Sequence, residues 1–240
     1  MKYFKRGFLM NLKYQCIVVC SILLVATGLY ARPVGKVVQL VGNVDIMSMK
    51  TGERTVPDMD AVVYSDDKIR TGKKSLVTIL LNDGTKLFIK EVSVVNIAGL
   101  KLKDTDPPSK IRMLTGKLRL IVKKTFKKGS LVLKTPTAVA GVRGTDFGAI
   151  ATRNETRIVV FDGEVEVGNV RDNILKSYVL KEKEEVSVKE NRPPSSPRVV
   201  PSNVLSSWFE YYVIDERKSK IIRRDREDGL IDRLLRKKDY

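Results

Sequence analysis

The sequence has no histidine, and its two cysteines, Cys16 and Cys20, both stand in the first apolar run. Without imidazole, a Ser-His-Asp triad, a Cys-His pair and a histidine-ligated metal site are excluded. If that first run is removed on export, thiolate nucleophiles, disulfides and thiolate ligands go with it. Glycine (16) and proline (9) are too few for a collagen-like or wholly disordered chain of 240 residues. The first apolar run is about half the roughly 20 residues a spanning helix needs. What survives these absences is carboxylate, lysine or hydroxyl chemistry, or no chemistry at all.

Basic residues outnumber acidic ones 45 to 28, and 42% of the chain is hydrophobic, enough for one sizeable core. Residues 1–13 carry Lys2, Lys5, Arg6 and Lys13 and no acid. Residues 16–25 are apolar, and small residues lead up to Ala31. A basic head, a short apolar middle and a small-residue end make an export signal over 1–31, with cleavage expected after Ala31. Gly28 offers a second cleavage point and Met10 a second start. The competing reading is an uncleaved anchor. Cys16 follows Gln15 and Cys20 follows Val19, which argues against lipidation.

Residues 32–190 read as strands almost throughout. Leu76 to Leu81 end in the turn Asn82-Asp83-Gly84-Thr85, Leu118 and Leu120 alternate with Lys117 and Arg119, and Val165 and Val167 alternate with Glu164 and Glu166. Period-two alternation bounded by Gly, Asn and Asp marks half-buried strands. Residues 191–201 hold four prolines and read as a linker. Residues 202–240 read as a charged amphipathic helical tail, with Val204, Leu205, Trp208, Tyr211 and Tyr212 on one face. That tail is expected to pack on its own domain. The sharper alternative makes Trp208, Phe209 and Tyr212 a partner-binding helix.

Ordered landmarks from Gly35 to about Val188 resemble the FecR domain family. They are Gly35-Lys36-Val37, Asp66-Asp67-Lys68-Ile69-Arg70-Thr71-Gly72, Leu81-Asn82-Asp83-Gly84-Thr85, and Leu114-Thr115-Gly116-Lys117-Leu118. The sharpest is Thr135-Pro136 followed by Val142-Arg143-Gly144-Thr145-Asp146-Phe147, and Gly163-Glu164-Val165-Glu166-Val167 closes the set. The resemblance implies an all-β, twisted solenoid-like fold outside the cytoplasm. It also implies a role near the iron-responsive regulators that pass signals from an outer-membrane receptor to a sigma factor. Two departures stand out. Asp66 occupies a position where the family usually has Gly, and residues 180–184 lack its usual turn Gly. The family's cytoplasmic anti-sigma region is not seen ahead of the domain.

The family motif, Thr135, Pro136, Val142, Arg143, Gly144, Thr145 and Phe147, admits two readings. Arg143 could bind an anion bidentately, or the motif could be structural, with Arg143 paired to a carboxylate such as Asp146. A second candidate is the basic segment Lys117, Arg119, Lys123, Lys124, Lys127 and Lys128, expected on one solvated face. It could attract an anionic polymer or a membrane surface, or simply protect a sheet edge. Nucleic acid is set aside, because no aromatic ladder accompanies the lysines and export removes the chain from it. Close carboxylates (Asp58/Asp60, Asp66/Asp67, Asp104/Asp106) are the catalytic candidates for a glycan-cleaving pair: Asp66 and Asp67 would point to opposite sides of an extended strand, and Asp58 and Asp60 could share a face but sit beside Pro57 in an expected loop.

The expectation is therefore a non-catalytic, cofactor-free binding or scaffold module of the bacterial envelope, in the periplasm or at the cell surface. It would contact a protein or an anionic polymer, in an oligomeric state left open. The alternatives are a transmembrane signalling regulator acting through a separate partner and a polysaccharide-active enzyme.

Overall fold

A computed structural model describes residues 32–100, 107–123, 131–171, 173–206, Trp208, and the backbone of 212–215 and 220–223. The expected signal segment 1–31 with Ala31, the residues Lys124, Lys127 and Lys128, and Phe209 lie outside the described residues.

The alternating stretches form strands as expected, and the strands form two sheets. In the first sheet β4 (Val62–Tyr64) lies beside β1 (Pro33–Val41), followed by β6 (Leu76–Leu81) and β7 (Lys86–Ile89). Next come the second half of β9 (Ser109–Ile121), β12 (Asp146–Ala151), β13 (Glu155–Asp162), β16 (Glu184–Lys189) and β17 (Arg198–Val199). The second sheet runs β3 (Arg54–Thr55), β2 (Val44–Met47), β5 (Lys68–Thr71), β8 (Val94–Gly99) and the first half of β9. It continues through β10 (Leu131–Lys134), β11 (Ala138–Val142), β14 (Val165–Asn169) and β15 (Ser177–Leu180). The fold is all-β, as the sequence reads. Among the described pairings only β9 with β10 is parallel, so its rungs are antiparallel ladders rather than parallel coils.

Every second side chain on these strands points inward, and the two inner faces share one apolar core. Ile69, Ile97, Ile111 and Val167 of the second sheet meet Ile79, Leu118, Phe147 and Ile158 of the first. β9 serves both sheets because it turns at Gly116, whose φ of 109° is open only to glycine. Ser93 packs against that glycine, and its hydroxyl accepts the Lys117 N–H at 3.0 Å.

Two boundaries differ from the sequence reading. Residues 191–201 are not a free linker. They run as a strap along β16: Ser195 exchanges bonds with Ser187, Arg198 pairs with Glu185, and the Val200 N–H donates to the Lys183 carbonyl. Proline suits an extended segment at a sheet edge, where a missing N–H costs little. The tail is not one amphipathic helix. A single helical turn, α1 (Ser202–Ser206), is followed by β18 (Tyr212–Asp215) paired with β19 (Lys220–Arg223). Tyr212, Val213, Ile214, Ile221 and Ile222 are aromatic or β-branched, and such residues favour strands over helix. Among the described residues no helix is long and apolar enough to cross a membrane.

Candidate functional site

The Thr-Pro piece of the family motif is structural. Thr135 and Thr137 are buried and share the buried Thr156 hydroxyl, at 2.7 and 2.8 Å, and Thr137 also donates to the Val188 carbonyl. Pro136 sits in the turn between β10 and β11. Val142 and Phe147 belong to the core. Gly144 adopts φ 63°, and the Thr145 hydroxyl donates to the Glu164 carbonyl at 2.9 Å, which holds the turn against β14.

Arg143 is the exception. It is exposed and makes no ion pair among the described residues. The expected pairing with Asp146 is overturned, because Asp146 belongs to Arg119. Arg119 Nε and Nη2 reach the two Asp146 oxygens at 2.9 and 2.7 Å. Arg143 instead stands beside a cleft of about 570 Å³ on the outer face of the second sheet. Cross-strand register builds the cleft: Val132 lies opposite Gly141, Gly141 opposite Glu166, and Glu166 opposite Val179. Gly141 leaves a notch, since a Cβ there would meet nothing within 4 Å. Glu164 and Glu166 are exposed along one wall, and Val179 is 55% exposed. A guanidinium, two carboxylates and small apolar side chains around a notch suit an extended polypeptide better than a compact cofactor.

The basic segment does not form one solvated face. Arg119 is 1% exposed and lies over the rings of Phe88 and Phe161, at 5.7 and 5.3 Å. Lys117 holds its ammonium 4.1 Å from the centre of the Trp208 ring. Lys123 is exposed, with its stem over Gly84. The outward side of the first sheet is not open to water there, because the tail covers it. Val200, Leu205 and Trp208 pack with Val159 and Phe161 into a second apolar cluster. Trp208 is 5% exposed, meets Phe161 edge-on at 5.6 Å, and its carbonyl accepts the Lys90 ammonium at 3.1 Å. Trp208 is thus a core residue of its own domain, not the anchor of a partner helix. Tyr212 is a strand residue, which removes the helical face it was to share.

Two of the close carboxylates have structural partners, and Asp104 and Asp106 lie outside the described residues. Asp60 pairs with Lys36 at 2.7 Å, and Asp67 accepts the Tyr64 N–H at 2.8 Å. Among the described residues no three metal-ligating side chains cluster. Sequence reading missed Gly141, Glu164, Glu166 and Val179 as one site. Their alternation is visible, but only strand register brings four separated segments into one row.

Comparison with known proteins finds a family match over residues 67–166, to the model described as FecR protein. That span runs from β5 to β14 and includes Arg143. Two crystal structures of one protein of Parabacteroides distasonis ATCC 8503, provisionally described as an anti-sigma factor, share the fold at TM-score 0.50. Identity is 18%, over 63% of this chain and 70% of theirs. A structure described as a cell surface anchoring domain is 28% identical over 27% of this chain and 84% of its own, at TM-score 0.26. No curated protein matches. Residues 67–166 thus match the FecR model, and the chain shares its all-β architecture with the Parabacteroides protein.

Proposed function

We propose that this chain is an exported, non-catalytic binding module of the bacterial envelope, and that its FecR domain captures an extended segment of a protein partner in the cleft beside Arg143. One observation carries the reading: the motif arginine stands exposed at a notched cleft without an ion pair among the described residues, while its nearest acidic neighbour in sequence, Asp146, is committed elsewhere. Arg143 would take a partner carboxylate bidentately, Glu164 and Glu166 a partner cation, and the Gly141 notch a side chain or a closely approaching backbone. The export reading rests on the basic head and short apolar run of residues 1–31.

Crosslinking pull-down from the native envelope tests it. Arg143→Ala should lower capture at least tenfold while the thermal midpoint stays within a few degrees of the parent. Unchanged capture would overturn the cleft as the site. Truncation after Trp208 is the clean way to remove the tail, because Val200, Leu205 and Trp208 pack on the body.

A second reading is favoured by the family match: the captured partner belongs to a signalling chain that ends at a sigma factor. Recovery of a receptor or a membrane-bound regulator in the same pull-down would select it, and recovery of neither would set it aside.

A further inference from the structure

The outer face of the second sheet carries a second charge pattern, beside the cleft. On four adjacent strands, β5, β8, β9 and β10, the outward residues are Lys68 and Arg70, then Val94 and Asn96, then Lys110, Arg112 and Leu114, then Val132 and Lys134. Five are cations and none is an acid. Register aligns three of the cations in one row: Lys68 is opposite Asn96, Asn96 opposite Arg112, and Arg112 opposite Lys134. Three strand spacings make the row about 14 Å long. None of the five cations forms an ion pair among the described residues.

Like charges directly opposite across a ladder destabilise a sheet. The Arg112–Lys134 pair therefore costs stability in the free protein, and a bound anion would reverse that cost. The array has two dimensions, since Arg70 and Lys110 lie outside the aligned row, Arg70 opposite the outward Asp45 of β2. Leu114, 52% exposed, and the half-buried Val94 and Val132 stand between the cations. No aromatic ring stands among these outward residues to stack on a sugar. A two-dimensional field of cations interleaved with aliphatic side chains matches a sheet of anionic headgroups, whereas a single polymer strand would follow one row.

We infer that this face docks the protein on an anionic lipid surface. The inference uses none of the cleft's charged residues, Arg143, Glu164 and Glu166, although Val132 borders both surfaces. If the lipid test fails, the partner capture described above is untouched.

The test is co-sedimentation of the purified full chain with vesicles of phosphatidylglycerol in phosphatidylcholine, against vesicles of phosphatidylcholine alone. The readout is the ratio of the two affinities, so any contribution of residues 1–31 to neutral bilayers cancels. The parent should prefer anionic vesicles, and the preference should fall as salt rises. Lys68→Gln/Arg112→Gln/Lys134→Gln should cut the preference about 100-fold, at the usual surface attraction for three cations. Lys86→Gln/Arg157→Gln/Lys189→Gln removes the same charge from exposed positions of the first sheet and should cut it less than about threefold. Should the first variant fail to fold, Arg112→Gln alone should cut the preference about fivefold. No preference for anionic vesicles, or equal losses in both triple variants, overturns the proposal. So does binding to an acidic polysaccharide such as polygalacturonate without vesicle binding.

Discussion

Gly148 lies directly beneath the indole of Trp208: a Cβ at residue 148 would stand 2.5 Å from the ring. The tail reaches its seat because β12 has no side chain at that point. Trp208 is the only tryptophan, so its fluorescence reports the seat without interference. Gly148→Val should shift the emission to the red in the folded protein, and Trp208→Ala should cost about 3–5 kcal/mol in urea unfolding. Unshifted emission in the valine variant would mean that the tail sits elsewhere.

Arg119 and Asp146 form a pair with the arginine fully enclosed and the Asp146 side chain 15% exposed. Removing one partner strands the other charge. Asp146→Ala should therefore destabilise by about 3–5 kcal/mol. Arg119→Met/Asp146→Leu, which removes both charges, should recover most of that loss. A double variant as unstable as the single one would show that packing, not the stranded charge, dominates.

Asp66 has φ 71° and Lys183 has φ 66°. These are the two places where the resemblance leads one to expect glycine, and the backbone at both is in the left-handed region that favours it. A side chain in the left-handed region costs about 1–2 kcal/mol, less for Asp, and glycine loses part of this gain to chain entropy. Asp66→Gly and Lys183→Gly should each raise stability, by about 0.5–1 kcal/mol, with Lys183→Gly the larger. Thermal unfolding of the two variants checks both sign and order.

Burial pushes the Asp67 carboxyl above its ordinary value of 3.8, and the neighbouring Asp66 charge adds to the rise, while the Tyr64 N–H opposes it. A carboxyl raised on folding holds its proton longer in the folded state than in the unfolded chain. Its contribution is full below pH 3.8 and is lost as pH climbs through the raised value. Asp67→Asn keeps an oxygen for Tyr64 and carries no charge. It should match the parent near pH 3 and exceed it near pH 7. Chemical unfolding at the two pH values decides, and a gain at pH 3 alone would reverse the sign.

Much of the β body is legible from alternation. Leu118 and Leu120 point inward and Arg119 outward, as the pattern requires. What alternation cannot say is whether outward means water. Over β9, β12 and β13 a segment some forty to ninety residues further along lies on top, which turns Arg119 from a surface cation into an enclosed one. The tail misleads for a related reason. Leu205 and Trp208 are spaced for a helix, yet both are held by contacts with a distant sheet, and Tyr212 onward follows strand preference. The cleft was hidden because its walls come from separate strands. Arg143 was visible as a motif residue, but its freedom from Asp146 depends on Arg119 having taken that carboxylate first.

β9 sits in the middle of both sheets, with strands from the N-terminal half on one side of it and strands from the C-terminal half on the other. A cut on either side of it leaves one fragment with two bare edges and the other without its template. Dissection by fragments should yield insoluble pieces, whereas complementation of two fragments, one of them carrying β9, could rebuild the whole.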